Sequence, residues 1–487
     1  MLARSLRLLR RLLVLALVFA AAVLALRAWD SQRGPPLEPW HTYVPQELHR
    51  DALDKADWAT YLRNEQKIFE DVRREVVDRI SPETAVPGNR YYAKSPIYPG
   101  NFRDDFNRSY VLEPEGPPAG AVVLLHGLTD SPYSLRHVAR HYRDRGFVAV
   151  AIRLPAHGTV PGALTDVEWE DWTAATRLAV REATRRAGSG RPLHIVGFSN
   201  GGALAMKYAL EALENDRLAK PERVILVSPM IGITSFARFA GLAALPALLP
   251  AFAKAAWLGL LPEFNPFKYN SFPVNGARQS HRLTVALQEE ITRQGREGRL
   301  KGLPPILTFQ SVVDFTVSTP AVISRLYDQL PPNGSELVLF DLNRHAVLNP
   351  LLRDAAETVL NRILPSPPRA YRTTVITNAS AETLDVVELV TEPGATEEKR
   401  RPLDLAFPRE IFSLSHVALP FPMSDSLYGL KPDGSDEDFG VHLGDLAPRG
   451  ERGVLIVALD TLVRMSSNPF FPYMLGRIDQ QIPGKRP

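Results

Sequence analysis

Leu193-His194-Ile195-Val196-Gly197-Phe198-Ser199-Asn200-Gly201-Gly202 is the stretch that decides the fold. Its first six residues are mostly apolar, as in a strand buried on both faces. They run directly into G-x-S-x-G, and Gly201 to Leu213 then reads as a helix. Glycines on both sides of Ser199 allow the tight turn that lifts a serine hydroxyl above a sheet, and Gly202 allows close backbone approach. The pentapeptide alone is common by chance. The strand before it and the helix after it set it apart from a glycine-rich turn around an inert serine.

The same alternation extends outward from this stretch. Ala121–Leu125, Phe147–Ile152, Val224–Ser228, Pro305–Phe309 and Glu336–Phe340 are further apolar runs of strand length. Between them, Ser131–Arg145 (Pro132 in its first turn, Gly146 as its stop), Trp169–Arg186 and Ser318–Leu330 read as helices. Strands alternating with helices predict an α/β fold with a doubly wound, mainly parallel sheet.

A serine nucleophile needs a base, and the base needs an orienting carboxylate. With an elbow of this kind the chain order is Ser, acid, His. Asp314 stands just past the strand ending at Phe309, where the acid belongs; its alternative is a helix-cap role before Thr316, and Asp341 is a weaker substitute. His345 is the preferred base, because it follows the last core strand and lies 31 residues (345 − 314) beyond the acid. His416, in Ser413-Leu414-Ser415-His416-Val417, is the alternative base, with the segment between them then an insertion. The expected oxyanion donors are the backbone N–H groups of Asn200 and of Leu128, in the loop His126-Gly127-Leu128-Thr129-Asp130. His126 and His157 read as loop-shaping residues.

Together, His126-Gly127-Leu128-Thr129-Asp130-Ser131-Pro132, Pro155-Ala156-His157-Gly158, Gly197-Phe198-Ser199-Asn200-Gly201-Gly202 and Val313-Asp314 resemble the α/β-hydrolase superfamily. The nearest branch is similar to the monoacylglycerol lipase, lysophospholipase and carboxylesterase group (serine aminopeptidase S33-like). The resemblance covers roughly residues 108–350. It implies Ser199 as nucleophile, Asp314 as acid, His345 at the usual spacing, and Leu128 and Asn200 as oxyanion donors. Two departures stand out: Asn200 replaces the apolar residue the branch often has, and the chain runs more than 130 residues past His345. The block Ser413 to Pro422 with Leu427-Tyr428-Gly429 resembles a motif of a bacterial exported, membrane-anchored subgroup, which keeps His416 in contention. The implied reaction is hydrolysis of a carboxylic ester such as a monoglyceride or lysophospholipid through an acyl-enzyme. Aminopeptidase, amidase or thioesterase chemistry on the same scaffold, or a non-catalytic partner-binding role, are the alternatives. No cofactor and no metal are expected.

Composition narrows the classes. Lys+Arg number 57 and Asp+Glu 54 in 487 residues, a formal charge of +3, so no basic excess favours nucleic acid. The absence of cysteine excludes disulfides, thiolate metal sites, a cysteine nucleophile and a lipoprotein anchor. Arg4, Arg7, Arg10 and Arg11 precede the apolar run Leu12–Leu26. Residues 1–29 are therefore expected to be an uncleaved membrane anchor, with a cleaved signal peptide as the competing reading. The positive flank predicts a catalytic domain on the periplasmic or extracytoplasmic side.

The expected organisation has four parts. Residues 30–107 form a linker and an N-terminal helical or irregular segment, with a surface helix over Asp57–Asp78. Residues 108–367 form the hydrolase domain, with a cap inserted at about 231–303. The apolar stretch Phe236–Leu261 within it predicts a cap helix pair that lines an acyl pocket or faces a membrane. Residues 368–487 form a β-rich extension packed on the hydrolase domain, with strand-like runs at Thr373–Ile376, Val386–Val390, Ile411–Leu414 and Val454–Ala458. Asp425, Asp433, Asp436, Glu437 and Asp438 read as solvated charge, since their spacing fits no calcium loop.

Overall fold

The computed structural model describes residues 2–232, 245–345, 363–446 and 456–482. Its strands are β1 (Tyr110–Leu112), β2 (Gly120–Leu125), β3 (Phe147–Ile152), β4 (Leu193–Phe198), β5 (Arg223–Val227), β6 (Trp257–Gly259), β7 (Phe272–Pro273), β8 (Ile306–Ser311), β9 (Glu336–Phe340), β10 (Arg372–Asn378), β11 (Asp385–Thr391) and β12 (Glu398–Ala406). Ten of them form one sheet in the order β1-β3-β2-β4-β5-β8-β9-β10-β11-β12, and β6 and β7 form a small separate pair. The pairings from β3 across to β10 are parallel, while β1 at one edge and β11 and β12 at the other run antiparallel. The six apolar runs read from the sequence are the six strands β2, β3, β4, β5, β8 and β9.

Continuous apolar runs suit these strands because both faces are covered. Val123, Leu125, Val150 and Ile195 face one core, which the helices Trp169–Ala187 and Asn200–Glu214 fill with Leu178, Leu204 and Leu210. Val122, Leu124, Ala149 and Val196 face the other, under Val138 and Tyr142 of the helix Arg136–Arg143. The C-terminal helix Phe471–Asp479 closes that same second core with Met474 and Ile478. Phe470 stacks on Phe340 of β9 with ring centroids 5.7 Å apart. The tail thus supplies part of the core on that face of the sheet.

Several expectations are corrected. The stretch after residue 30 is not a loose linker: Trp40, His41 and Leu53 are buried, and Glu47 pairs with the buried Arg153. The helix Trp58–Glu75 buries one face through Tyr61, Ile68 and Val72. In the cap, residues 233–244 lie outside the described residues, and 245–256 form short 3-10 turns where an α-helix was expected. Pro246 and Pro250 explain this, since neither can donate the N–H that a continuing α-helix needs. The cap's long helix is instead Val274–Arg296. Ile411–Leu414 is irregular, as are residues 456–458; 454 and 455 lie outside the described residues. Asp425 is fully buried against Arg136 at 2.8 Å, and Asp436 pairs with Arg136 and Arg140. These two acids are therefore internal ion-pair partners, not solvated charge.

The helix Leu2–Ser31 contains one segment, Ser5–Asp30, of 26 residues, whose most apolar 18-residue stretch has mean hydropathy 2.4, long and apolar enough to cross a membrane.

Candidate active site

Ser199 sits at the joint between β4 and the helix Asn200–Glu214, with φ 54° and ψ −114°. A non-glycine residue held there stores about 1–3 kcal/mol of strain, which its surroundings must over-determine. The neighbouring glycines show how. A Cβ at Gly201 would lie 1.9 Å from the Leu125 carbonyl oxygen, and one at Gly197 would lie 2.3 Å from the Gly201 oxygen. The Ser199 N–H donates to Val227 O at 3.0 Å, and its carbonyl accepts from Met230 N at 2.9 Å. The backbone of the elbow is thereby pinned to β5 and to the turn after it.

Asp314 follows β8 by three residues. Its Oδ1 accepts from the N–H groups of Thr316 (2.7 Å) and Val317 (3.0 Å). Its Oδ2 accepts from Gln310 Nε2 at 3.2 Å and from His416 Nδ1 at 2.9 Å. Burial by itself would raise this carboxyl, but the His416 charge and hydrogen bond and the two backbone donors outweigh it and hold it below the usual carboxylate range. A carboxylate held on both oxygens orients the imidazole it meets. With Nδ1 donating to Asp314, His416 keeps Nε2 as its basic side. The His416 ring lies against Phe198, with centroids 5.2 Å apart.

The structure joins Asp314 to His416 and not to His345, which corrects the preference for His345. The reason lies in the loop after β9. Asn343, fully buried, donates its backbone N–H to Phe412 O at 2.9 Å and its side chain to Ile411 O at 3.0 Å. The segment leading to His416 is thus laid across the end of β9, two residues before His345. Ser415 then donates to Arg464 O at 2.6 Å and fixes the turn carrying His416. His345 is half-buried, and its N–H bonds Asn343 Oδ1 at 3.2 Å. Asp341, the substitute acid, is engaged by Thr377 and Arg344.

Above Ser199 lies a cavity of about 580 Å³, lined among others by Gly127, Leu128, Phe198, Met230 and His416. That volume suits a small organic ligand. Leu128 enters it from the loop after β2. Asp130 shapes this loop by accepting from Gly127 N at 3.3 Å and from Ser134 Oγ, and Thr129 O accepts from Tyr269 N at 2.7 Å. Asn200 heads its helix, where first-turn N–H groups have no intrahelical acceptor. Its side-chain amide is buried without a partner among the described residues. His126 accepts from Leu154 N at 3.0 Å through Nε2, so its Nδ1 donates to Gly127 O at 2.9 Å. Burial pushes its pKa far down, and it holds two loops together as a neutral ring. His157 bonds Pro155 O through Nδ1 at 3.0 Å, and burial brings it to about 4. Among the described residues, no cluster of His, Cys, Asp or Glu is arranged to hold a metal.

Two lining residues escaped the sequence reading: Lys268 before β7, and Arg464 in the tail. Neither belongs to a motif, and only the packing of cap and tail brings them beside Ser199.

Residues 116–350 match the family model described as Serine aminopeptidase, S33. A thermostable monoacylglycerol lipase from Bacillus sp. (strain H-257) is 30% identical over 95 residues, covering 20% of this chain and 36% of the relative. The chain thus spans about a third of that relative's length. Among solved structures, a metagenome-derived lipolytic enzyme overlaps at TM-score 0.39 and 20% identity, covering 53% of this chain and 95% of the other. The monoglyceride lipase of Saccharomyces cerevisiae overlaps at TM-score 0.38 and 13% identity, covering 47% and 81%. Neither overlap is close enough to argue function from.

Proposed function

We propose that the chain is an α/β-hydrolase of the monoacylglycerol lipase and lysophospholipase type, a serine hydrolase that cleaves carboxylic esters with Ser199, His416 and Asp314. The observation that carries this reading is the 2.9 Å bond from His416 to Asp314 at the cavity that also holds Ser199. His416 Nε2 takes the Ser199 proton as Oγ attacks the ester carbonyl. The N–H groups of Leu128 and Asn200 hold the oxyanion, in a site where fixed dipoles need no reorganisation. His416 returns the proton to the departing alcohol, then activates the water that hydrolyses the acyl-enzyme. The substrate is an acyl ester of the monoglyceride or lysophospholipid type, with its chain along Leu261, Met230 and Phe272.

The helix Leu2–Ser31 serves in this reading as a membrane anchor, with the catalytic domain on the extracytoplasmic side. The cap touches the end of that helix: Gln32 donates to Ala251 O at 2.7 Å, and Lys254 to Gly34 O at 3.3 Å. The exposed Leu249 and Leu258 belong to the same cap. The test is a fluorophosphonate probe on the full-length protein in detergent. Labelling that disappears in Ser199→Ala is expected. Folded protein that takes up no probe refutes the enzyme reading and leaves a partner-binding role.

A further inference from the structure

Two cations line the cavity over Ser199, and neither makes an ion pair with a carboxylate among the described residues. Lys268 and Arg464 both line it, beside Ser199 and His416. Lys268 is half-buried, and its ammonium makes no hydrogen bond or ion pair among the described residues. Arg464 donates to Thr316 Oγ1 at 2.6 Å and lies over the Phe315 ring at 5.9 Å, again without a carboxylate partner. The acid nearest in influence, Asp130, accepts from Ser134 Oγ at 2.7 and 2.6 Å and from Gly127 N at 3.3 Å, and its charge reaches Lys268 through space and not through an ion pair. Asp460 lies at the exposed rim and accepts from Thr461 N at 3.0 Å. Burial pushes the Lys268 ammonium down; Asp130 offsets part of this, and the Arg464 charge adds to it. A half-buried ammonium beside a guanidinium is an electrostatic demand that a ligand anion meets. A flexible ammonium and a planar fork also suit phosphate or carboxylate oxygens.

We propose that the substrate is an ester carrying an anionic group, a phosphate or a carboxylate, which Lys268 and Arg464 hold while the ester carbonyl faces Ser199. This inference rests on the serine-hydrolase reading and sharpens it: the preferred lipid is charged, not a neutral glyceride. Lys268 comes from the cap and Arg464 from the tail, so each added region contributes one half of the anion site.

The test compares monooleoylglycerol with monooleoylglycerol phosphate, in mixed micelles of one nonionic detergent, using the full-length protein. The phosphorylated ester is expected to show a kcat/KM higher by about tenfold or more, carried by KM, with the advantage shrinking as salt is added. In Lys268→Met with Arg464→Met that ratio should fall to about one, whereas Lys268→Arg should keep it. Fluorophosphonate labelling of each variant shows that the fold and Ser199 remain competent. A role for Lys268 only as counter-charge to Asp130 predicts equal loss on both esters and would overturn the proposal. So would a labelled wild-type enzyme that prefers the neutral ester. Inhibition by inorganic phosphate without preference for the phosphorylated lipid would assign the cations to a free anion and also overturn it. Absence of labelling in the wild type would sink the underlying hydrolase reading instead.

Discussion

β4 and β12 belong to one sheet and share almost nothing in sequence. β4 reads LHIVGF and is buried along its whole length; β12 reads EKRRPLDLA and is mostly exposed. A central strand must be apolar on both faces, whereas an edge strand is kept safe by charge and proline. The same contrast separates the two halves of the candidate site. Ser199 and Asp314 hang on central strands whose pattern dictates their place. His416 lies on irregular chain after β12, held by Asn343 and Ser415. Chemistry in a patterned region is readable from periodicity; chemistry in a region placed by individual hydrogen bonds is not.

The sharpest way to break this comparison is to remove one proposed catalytic side chain from each half. Ser199→Ala and His416→Ala should each lower kcat on a short-chain ester by about 10⁴-fold or more, because triad members act as a unit. If His416→Ala kept its rate, the tail would be structural only. Next in size is the ion pair that docks the tail. Asp425 and Arg136 both have side chains with no exposure, and Asp425→Asn leaves Arg136 short of charge. A loss of about 3–5 kcal/mol in unfolding free energy is expected by denaturant titration. A change under 1 kcal/mol, on the scale of ordinary surface substitutions, would show that the tail docks by apolar packing alone.

Gly201→Ala probes the patterned half. Its Cβ meets the Leu125 carbonyl at 1.9 Å, so the helix must shift. A cost of about 1–3 kcal/mol is expected, together with slower fluorophosphonate labelling of Ser199. Unaltered labelling would mean the elbow tolerates displacement.

Acid should loosen the two halves in different pH windows. Burial brings His41 and His157 to about 4 and His194 to about 3. In the unfolded chain these rings protonate near 6.5. The unfolded state therefore binds more protons as pH falls from about 6.5 toward 4, and stability is lost across that window. Burial alone would raise the Asp425 carboxyl, but Arg136 and His137 hold it well below the ordinary carboxylate range. Its contribution is present above about pH 4 and is lost below it. Thermal midpoints followed against pH should show the first loss starting near 6.5, and a flat profile down to 4 would contradict the histidine assignment. The smallest effect is expected from His345→Ala, which should keep ester hydrolysis and fluorophosphonate labelling; abolished hydrolysis in that variant would return the base to the end of β9.

Much of the fold was legible. The six apolar runs became six core strands with ends shifted by at most two residues, because burial on both faces leaves an unbroken signature. β12 was missed since an edge strand carries no such signature, and Val274–Arg296 because its apolar positions are diluted by polar ones. Within the described part of the apolar cap stretch, from residue 245 on, no α-helix forms: Pro246 and Pro250 outweigh the apolarity around them.

By itself the sequence determined the sheet, the turn at Ser199, the place of Asp314 at a strand end and an apolar N-terminal segment of spanning length. These follow from local rules: period, glycine at a crowded turn, and a strand end. Only the tertiary structure decided that His416 meets Asp314, that Asp425 is an internal ion partner, and that Lys268 and Arg464 share the cavity. Each of these joins residues more than 100 positions apart, or sets cap and tail against the same opening. No periodic pattern encodes such contacts, because they depend on which buried donor meets which acceptor once the layers have packed.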